Sequence, residues 1–282
     1  MIDTVLKLLP LKVRIFIYFY LKHGYFMSWS KPELFSEYIQ LRKLRLGKKE
    51  SVYADKYAVR KYVEEKIGTE YLIPLIGVYE KLGVDDVDTS RDDIVIKTNH
   101  GSGSAHLEIF PTDKTAKEIS DKFNSALMQD YRGVLLGEVQ YKYIDRRVVV
   151  EKKIGINGEV PEDFKFHVFR NGGNPIWILQ VDFDRFTDHK RNYYDSELNQ
   201  LDYQVIYKNG NYQLPNSKEL NKMAELAIAL LGDSEYMRVD LYLVGGQIYF
   251  GELTLTPGNG FEAFSSREAE AYWGELYAKS LF

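Results

Sequence analysis

The spacing of hydrophobic and polar positions changes several times along the chain, and each change marks an element. Residues 1–26, MIDTVLKLLPLKVRIFIYFYLKHGYF, are apolar but are interrupted by Lys7, Pro10, Lys12, Arg14 and Lys22. A spanning helix needs about 20 mostly apolar residues, so this run is too broken to cross a bilayer. No small-residue cleavage site follows a clean apolar core, which argues against a signal peptide. Two readings stand: an amphipathic helix packed on the domain, or a basic interfacial helix touching the inner membrane face. Ser30 and Pro32 open a predicted helix over 30–50, with Leu34, Tyr38, Leu41 and Leu44 at helical spacing. A second helix is predicted over 51–67, closed by Gly68.

From residue 72 the period shortens. Leu72 to Tyr79 reads as partly extended, 87–93 as a polar turn, and IVIK (94–97) as a β-branched strand. A glycine-rich turn (100–104) follows, then a helix over 112–129 with Thr112 as its cap, then a strand over 146–154. FKFHVFRNG turns at Asn171-Gly172-Gly173 into PIWILQVDFD, a hairpin signal. A helix over 217–232 takes Ser217 as cap and Gly232 as stop. A last hairpin, 237–256, turns at Gly245-Gly246, and a helix over 265–281 closes the chain. Strands and helices do not alternate evenly, so the fold class is α+β with antiparallel or mixed sheets.

Composition narrows the function classes. The 282 residues carry 37 basic and 41 acidic side chains, a net charge of −4, which argues against a general electrostatic grip on nucleic acid. There is no cysteine, hence no disulfide, thiolate metal site or Cys nucleophile.

Two stretches carry candidate chemistry. In IVIKTNHGSGS, Lys97 ends a strand just before His100, Gly101, Ser102 and Gly103. Glycines let backbone N–H groups approach an anion, and a Lys adds a point charge. A P-loop places its Lys after the loop, so that motif does not fit. In MRVDLYLVGGQIYFGELTLTPGNG, residues two apart share a face of a strand. Arg238 and Asp240 therefore share one face, Glu252 and Thr254 another, and Tyr242 and Phe250 continue those faces toward the turn. Folding at Gly245-Gly246 sets Asp240 opposite Glu252, with Thr254 beside them. Two carboxylates and a hydroxyl are hard oxygen ligands suited to Mg²⁺. Arg238 beside them suits a developing oxyanion.

These residues resemble the ATP-grasp superfamily, and the chain is similar to its TupA-like (teichuronopeptide-biosynthesis) family. The resemblance rests on KPELFSEYIQLRKL, YADKYAVRKYVEEKIG, YLIPLIGVY, IVIKTNHGSGS, DFKFHVF, DFDRFTDHKRNYYD and GELTLTPGNGFE, roughly residues 28–262. It implies two α+β subdomains holding ATP between them: a helical region over 1–90, a lid subdomain over 91–154 and a metal subdomain over 155–282. It implies a cytoplasmic bacterial ligase that joins a sugar-acid carboxylate to an amine or amino acid in surface-polysaccharide biosynthesis, with ATP and Mg²⁺. Lys97 and Lys165 would hold phosphates, Glu151, Lys152 and Ile154 would form the adenine hinge, and Asp163 or Glu162 would meet the ribose. Asp240, Glu252 and Thr254 would hold the metal, and Arg238 would steady the tetrahedral intermediate. Arg185, His189 and Arg191 would bind an acidic substrate.

Two departures stand out. Thr254 replaces the usual Asn, and Phe35-Ser36-Glu37-Tyr38 replaces a Phe-Asn-Glu-Lys pattern. A competing reading takes Asp182-Phe183-Asp184 as the metal-binding pair of a nucleotide-sugar glycosyltransferase. A further one keeps the fold as a non-catalytic nucleotide-binding regulator.

Overall fold

The computed structural model describes residues 7–155, 161–185 and 187–282. The first six residues of the N-terminal segment, residues 156–160 and Phe186 of DRFTDHKRNYYD lie outside it. The described chain contains two antiparallel sheets and seven α-helices: α1 (Leu11–His23), α2 (Phe35–Lys43), α3 (Ser51–Ala54), α4 (Val59–Ile67), α5 (Ala116–Leu127), α6 (Ser217–Leu231) and α7 (Arg267–Lys279).

The first sheet has the order β1–β4–β2–β3, from β1 (Leu75–Tyr79), β2 (Ile94–Thr98), β3 (Leu107–Ile109) and β4 (Val148–Lys152). Its inward residues Ile94, Ile96, Val148 and Val150 pack on Ile119, Phe123 and Leu127 of α5. The second has the order β7–β6–β5–β8–β9, from β5 (Asp163–Phe169), β6 (Ile176–Phe183), β7 (Lys190–Tyr194), β8 (Tyr236–Val244) and β9 (Gln247–Thr254).

This second sheet has two different faces. Phe164, Phe166 and Val168 of β5, with Leu179, Val181, Val239 and Leu241, bury against α6 and against Val59 and Val63 of α4. Their neighbours Asp163, Lys165 and His167 point the other way, as strand alternation requires. At one end that second face is closed by α2 and α7 through Phe35, Ile39, Trp273 and Tyr277. At the other end it is charged, and the site lies there.

Several elements differ from the sequence reading. The predicted helix over 30–50 begins only at Phe35, because the Glu37 carboxylate accepts the N–H groups of Ser28, Glu33 and Leu34 and holds them outside the helix. The helix over 51–67 is broken at Asp55, whose carboxylate takes the N–H groups of Tyr57 and Ala58. Thr115, not Thr112, caps α5, and Thr112 donates instead to Glu108. DRFTDHKRNYYD contains β7. Asn216, one residue before the expected Ser217, caps α6 by accepting the Glu219 N–H at 2.9 Å.

That last difference is testable by urea unfolding. Asn216→Ala is expected to cost about 0.5–2 kcal/mol. Ser217→Ala is expected to stay within about 0.5 kcal/mol.

Candidate active site

The site begins with Asp240 on β8. It lies opposite Lys165 on β5 and Glu252 on β9. Arg238 donates twice to the Asp240 carboxylate, at 2.7 and 2.8 Å, and Lys165 approaches at 3.3 Å. Burial by itself would raise the Asp240 carboxyl; Arg238 and then Lys165 outweigh it, so the group stays below the usual carboxylate range. Lys165 also pairs with Asp163 at 2.6 Å, and Asp163 with Arg185 at 2.6 Å. Thr254, opposite Arg238, donates to Glu252 at 3.2 Å.

The β8–β9 pairing corrects one part of the sequence reading. Register shifts between Asp240 and Leu241, so that Asp240 faces Glu252 while Leu241 faces Phe250. Gly251 is the extra residue of a β-bulge. Without it, Phe250 and Glu252 would share a face. With it, Phe250 enters the apolar core while Glu252 turns to the charged side. A Cβ on Gly251 would lie 2.9 Å from the Tyr242 ring and 3.0 Å from the Asp240 carbonyl oxygen, so the bulge requires glycine.

The phosphate stretch is held differently. Lys97 pairs with Glu151 of β4 at 2.5 Å, and the other oxygen of that carboxylate accepts from Arg60 of α4 at 3.0 Å. Adjacent strand residues face opposite ways. Glu151 and Lys152 therefore do not both face a ligand: Glu151 is buried and Lys152 is exposed. The N–H groups of Lys152 and Lys153 are committed to the carbonyls of Pro74 and Asp93, and Ile154 follows them.

In the glycine-rich turn, a Cβ on Gly101 would strike His106, and Gly103 has φ +80. His100 does not face the cleft. It is buried, with Nε2 donating to the Gln129 carbonyl, because the turn directs its ring back into the domain. Burial holds its pKa down at about 4.

Lys56 and Arg60 are functional candidates that sequence reasoning missed. Lys56 donates through Nζ to the Gly101 carbonyl at 3.0 Å and stands 3.9 Å from Glu252. Its backbone N–H reaches the Asn99 carbonyl, and the Asn99 amide reaches Asp55 at 2.8 Å. The segment 55–60 thus ties the glycine-rich turn, the Lys97–Glu151 pair and Glu252 of β9 together. A Lys and an Arg four apart at a helix start is the signal that was available in YADKYAVRKY.

Glu138 was missed as well. It is buried and accepts from Thr256 and, at 2.8 Å, from Asn259, and Asn259 in turn accepts from Lys43. Burial raises the Glu138 carboxyl and lowers the Lys43 ammonium to about 7.

The three expected substrate cations already hold carboxylates. His189 and Arg191 both contact one oxygen of Asp182, at 2.9 and 2.7 Å, and Arg185 holds Asp163. The segment that carries them is partly strand, with Arg191 buried, rather than a solvated loop. This also removes the glycosyltransferase pair. Asp182 is buried, and its second oxygen accepts from Gln180 at 2.7 Å. Burial would raise its carboxyl, but Arg191 brings it to about 2. Asp184, at φ +53, lies beyond the strand end, so the two do not form an open chelate.

Among the described residues no three His, Cys, Asp or Glu side chains converge as a metal cage. The available set is the two carboxylates and the Thr254 hydroxyl. That set fits a divalent ion that takes its remaining oxygens from phosphates and water.

A family model described as TupA-like ATPgrasp matches residues 37–278. A search of curated proteins returns no match. Among solved structures, the chain is similar to D-alanine–D-alanine ligase from Bacillus anthracis (19% identity, 82% of this chain and 66% of that one, TM-score 0.46). It is similar to L-amino acid ligase from Bacillus licheniformis (13%, 80% and 49%, TM-score 0.47). It is also similar to N5-carboxyaminoimidazole synthetase from Staphylococcus aureus complexed with ADP (12%, 76% and 47%, TM-score 0.44). The chain spans about half to two thirds of the length of these structures.

Two outcomes follow from the geometry. Gly251→Val should cost about 1–3 kcal/mol in thermal unfolding and weaken divalent-ion binding measured by calorimetry, because the bulge that aims Glu252 is overpacked. His100 and His167 give the pH dependence. Burial lowers both from 6.5, to about 4 and about 3. The unfolded chain takes up protons near pH 6.5 that the folded chain refuses until pH is much lower. Stability is therefore complete above pH 6.5 and falls as pH drops toward 4. Urea unfolding across that range should show the loss, with a shallower slope in His167→Gln.

Proposed function

The chain belongs to the TupA-like ATP-grasp family, and on that premise we propose that it is an ATP-dependent carboxylate–amine ligase. The observation that carries the reading is the Asp240–Glu252 pair on one sheet face, with Arg238 clamped to it and Lys56 linking it to the glycine-rich turn. The substrate is a sugar acid, free or carrier-linked, and the partner is an amine or amino acid. The setting is bacterial surface-polysaccharide biosynthesis in the cytoplasm.

The reaction has two displacements. A carboxylate oxygen attacks the γ-phosphorus of ATP, the bond to the bridging oxygen breaks, and ADP leaves with an acyl phosphate formed. The amine then attacks the acyl carbon, phosphate departs, and the amine loses a proton. No covalent bond to the protein is needed, so positioning and charge stabilisation carry the rate. Lys97, Lys56 and Lys165 meet phosphates, with backbone N–H groups of Gly101, Ser102 and Gly103 beside them. Arg60 orients Lys97 through Glu151. Ile154 lies at the hinge for the base, and Asp163 or Glu162 meets the ribose. Asp240, Glu252 and Thr254 would hold Mg²⁺, which when bound supplies positive charge to the phosphate oxygens. Arg238, freed in part from Asp240, faces the acyl oxygen. Arg185, the most exposed of the three expected substrate cations, meets the sugar carboxylate. Arg191 supports that edge from Asp182.

The test is ADP release from Mg-ATP across uronic acids paired with amino acids. Release should require both partners. Lys97→Ala and Asp240→Asn should each lower turnover on the order of 10²-fold or more with the fold retained. Near-normal turnover in Asp240→Asn would remove it from the metal site. Hydrolysis of a nucleotide sugar, lost in Asp182→Asn and without ADP release from ATP, would overturn the ligase reading.

A further inference from the structure

Helix α1 is apolar on two sides, and only one of them is used. Ile15 and Phe19 are buried with Met27 against Leu44 and Phe261. On the opposite side Val13, Ile17, Tyr20 and Leu21 are exposed, Leu21 by 64%. Their spacing places them in one stripe along the helix. Phe26, 64% exposed, extends the stripe at its C-terminal end. The Phe26 ring stacks on Tyr20 at 4.5 Å and on Phe16 at 5.2 Å, so the surface is aromatic as well as aliphatic.

The stretch of sequence that carries this stripe has charge of one sign. Lys7, Lys12, Arg14, Lys22 and Lys31 occur between residues 7 and 32, with no Asp or Glu among them, in a chain that is acidic overall. Lys12 and Arg14 flank Val13 on either side of the stripe, about 100° away in each direction. An exposed apolar stripe rimmed by cations is the pattern of a helix lying in a membrane interface. At 13 residues α1 is about 20 Å long, and no described helix is long and apolar enough to cross a bilayer. A second copy of the chain fits less well, because pairing these faces would bring two cationic rims together.

We infer that the exposed stripe of α1 docks in the plane of an anionic lipid surface. The docked side of the same helix reaches the site: Tyr18 packs on Phe261 at 5.0 Å, and Phe261 directly follows the 257–260 turn beside the metal strand. Membrane docking would thus set the cleft beside lipid-linked acceptors. That last step rests on the ligase reading; the docking itself does not.

The experiment is co-sedimentation of the full chain, without substrates, on vesicles of phosphatidylcholine with or without phosphatidylglycerol. Binding is expected only with phosphatidylglycerol and should weaken as salt rises. The double variant Ile17→Glu with Leu21→Glu should lose roughly tenfold or more of it. The single variant Lys12→Glu should weaken it in the same direction. Both variants should keep the wild-type circular dichroism and ADP release with soluble substrates. Equal binding to both vesicle types, binding unchanged in both variants, or no binding at all would overturn the inference. So would a dimer in light scattering that Leu21→Glu converts to a monomer. Loss of vesicle binding with ADP release intact separates this inference from the ligase reading.

Discussion

Asp240 is a carboxylate with 5% of its surface exposed, and the site depends on how that charge is held. Taking an ion out of water costs several kcal/mol unless cations and hydrogen bonds replace the solvent. Here the replacement is a chain of alternating sign: Arg238, Asp240, Lys165, Asp163 and Arg185. The first three links span either two residues along a strand or one pairing between β5 and β8, and the last reaches Arg185 just beyond the end of β6. A slip of one residue would turn the members on β5 and β8 to the opposite face. It would also expose Phe164, Phe166 and Val168, which are fully or almost fully buried. Apolar packing on one face and charge pairing on the other therefore select the same register.

Within that arrangement the carboxylates of Asp240 and Glu252 are not equivalent. Asp240 is bonded by Arg238 and Lys165, whereas the nearest cation to Glu252 is Lys56 at 3.9 Å and the Glu252 side chain is 35% exposed. Glu252 is the less compensated charge and the more open ligand. On the proposed reading, a divalent ion would find its more open acceptor at Glu252 and would compete with Arg238 and Lys165 for Asp240. Ligand binding there would be an exchange of partners among charges already buried, without desolvating each one anew.

The hairpins and the face shared by Arg238 and Asp240 were legible because strand periodicity and Gly-rich turns are local signals. The position of Glu252 opposite Asp240 was also legible, but the face of Phe250 was not. That depends on a bulge whose cause is the close approach of Gly251 to the Asp240 carbonyl, a tertiary contact. Caps were misplaced by one to three residues because Ser, Thr and Asn all serve, and only the backbone decides which does. Arg191 and His189 read as substrate-binding side chains because Asp182, nine and seven residues earlier, gave no sign of facing them. Lys56 and Arg60 went unnoticed for a similar reason: their partners Gly101, Glu151 and Glu252 lie 45 to 196 positions away.

The turn after the metal strand shows why the early residues cannot be treated as an appendage. Gly258, Asn259 and Gly260 are all left-handed, at φ 54, 57 and 68, a run that persists only when its surroundings over-determine it. Those surroundings come largely from the helical N-terminal region. Gln40 donates to the carbonyls of Asn259 and Gly260, and Lys43 donates to Asn259. Glu138 holds Thr256 and Asn259 from the other side. Residues 40, 43, 56 and 60 therefore shape the same cleft that β8 and β9 furnish with ligands. Gln40 and Lys43 of α2 on one side and the buried Glu138 on the other hold the 257–260 turn between them, so the packing of α2 and the conformation of that turn are fixed together.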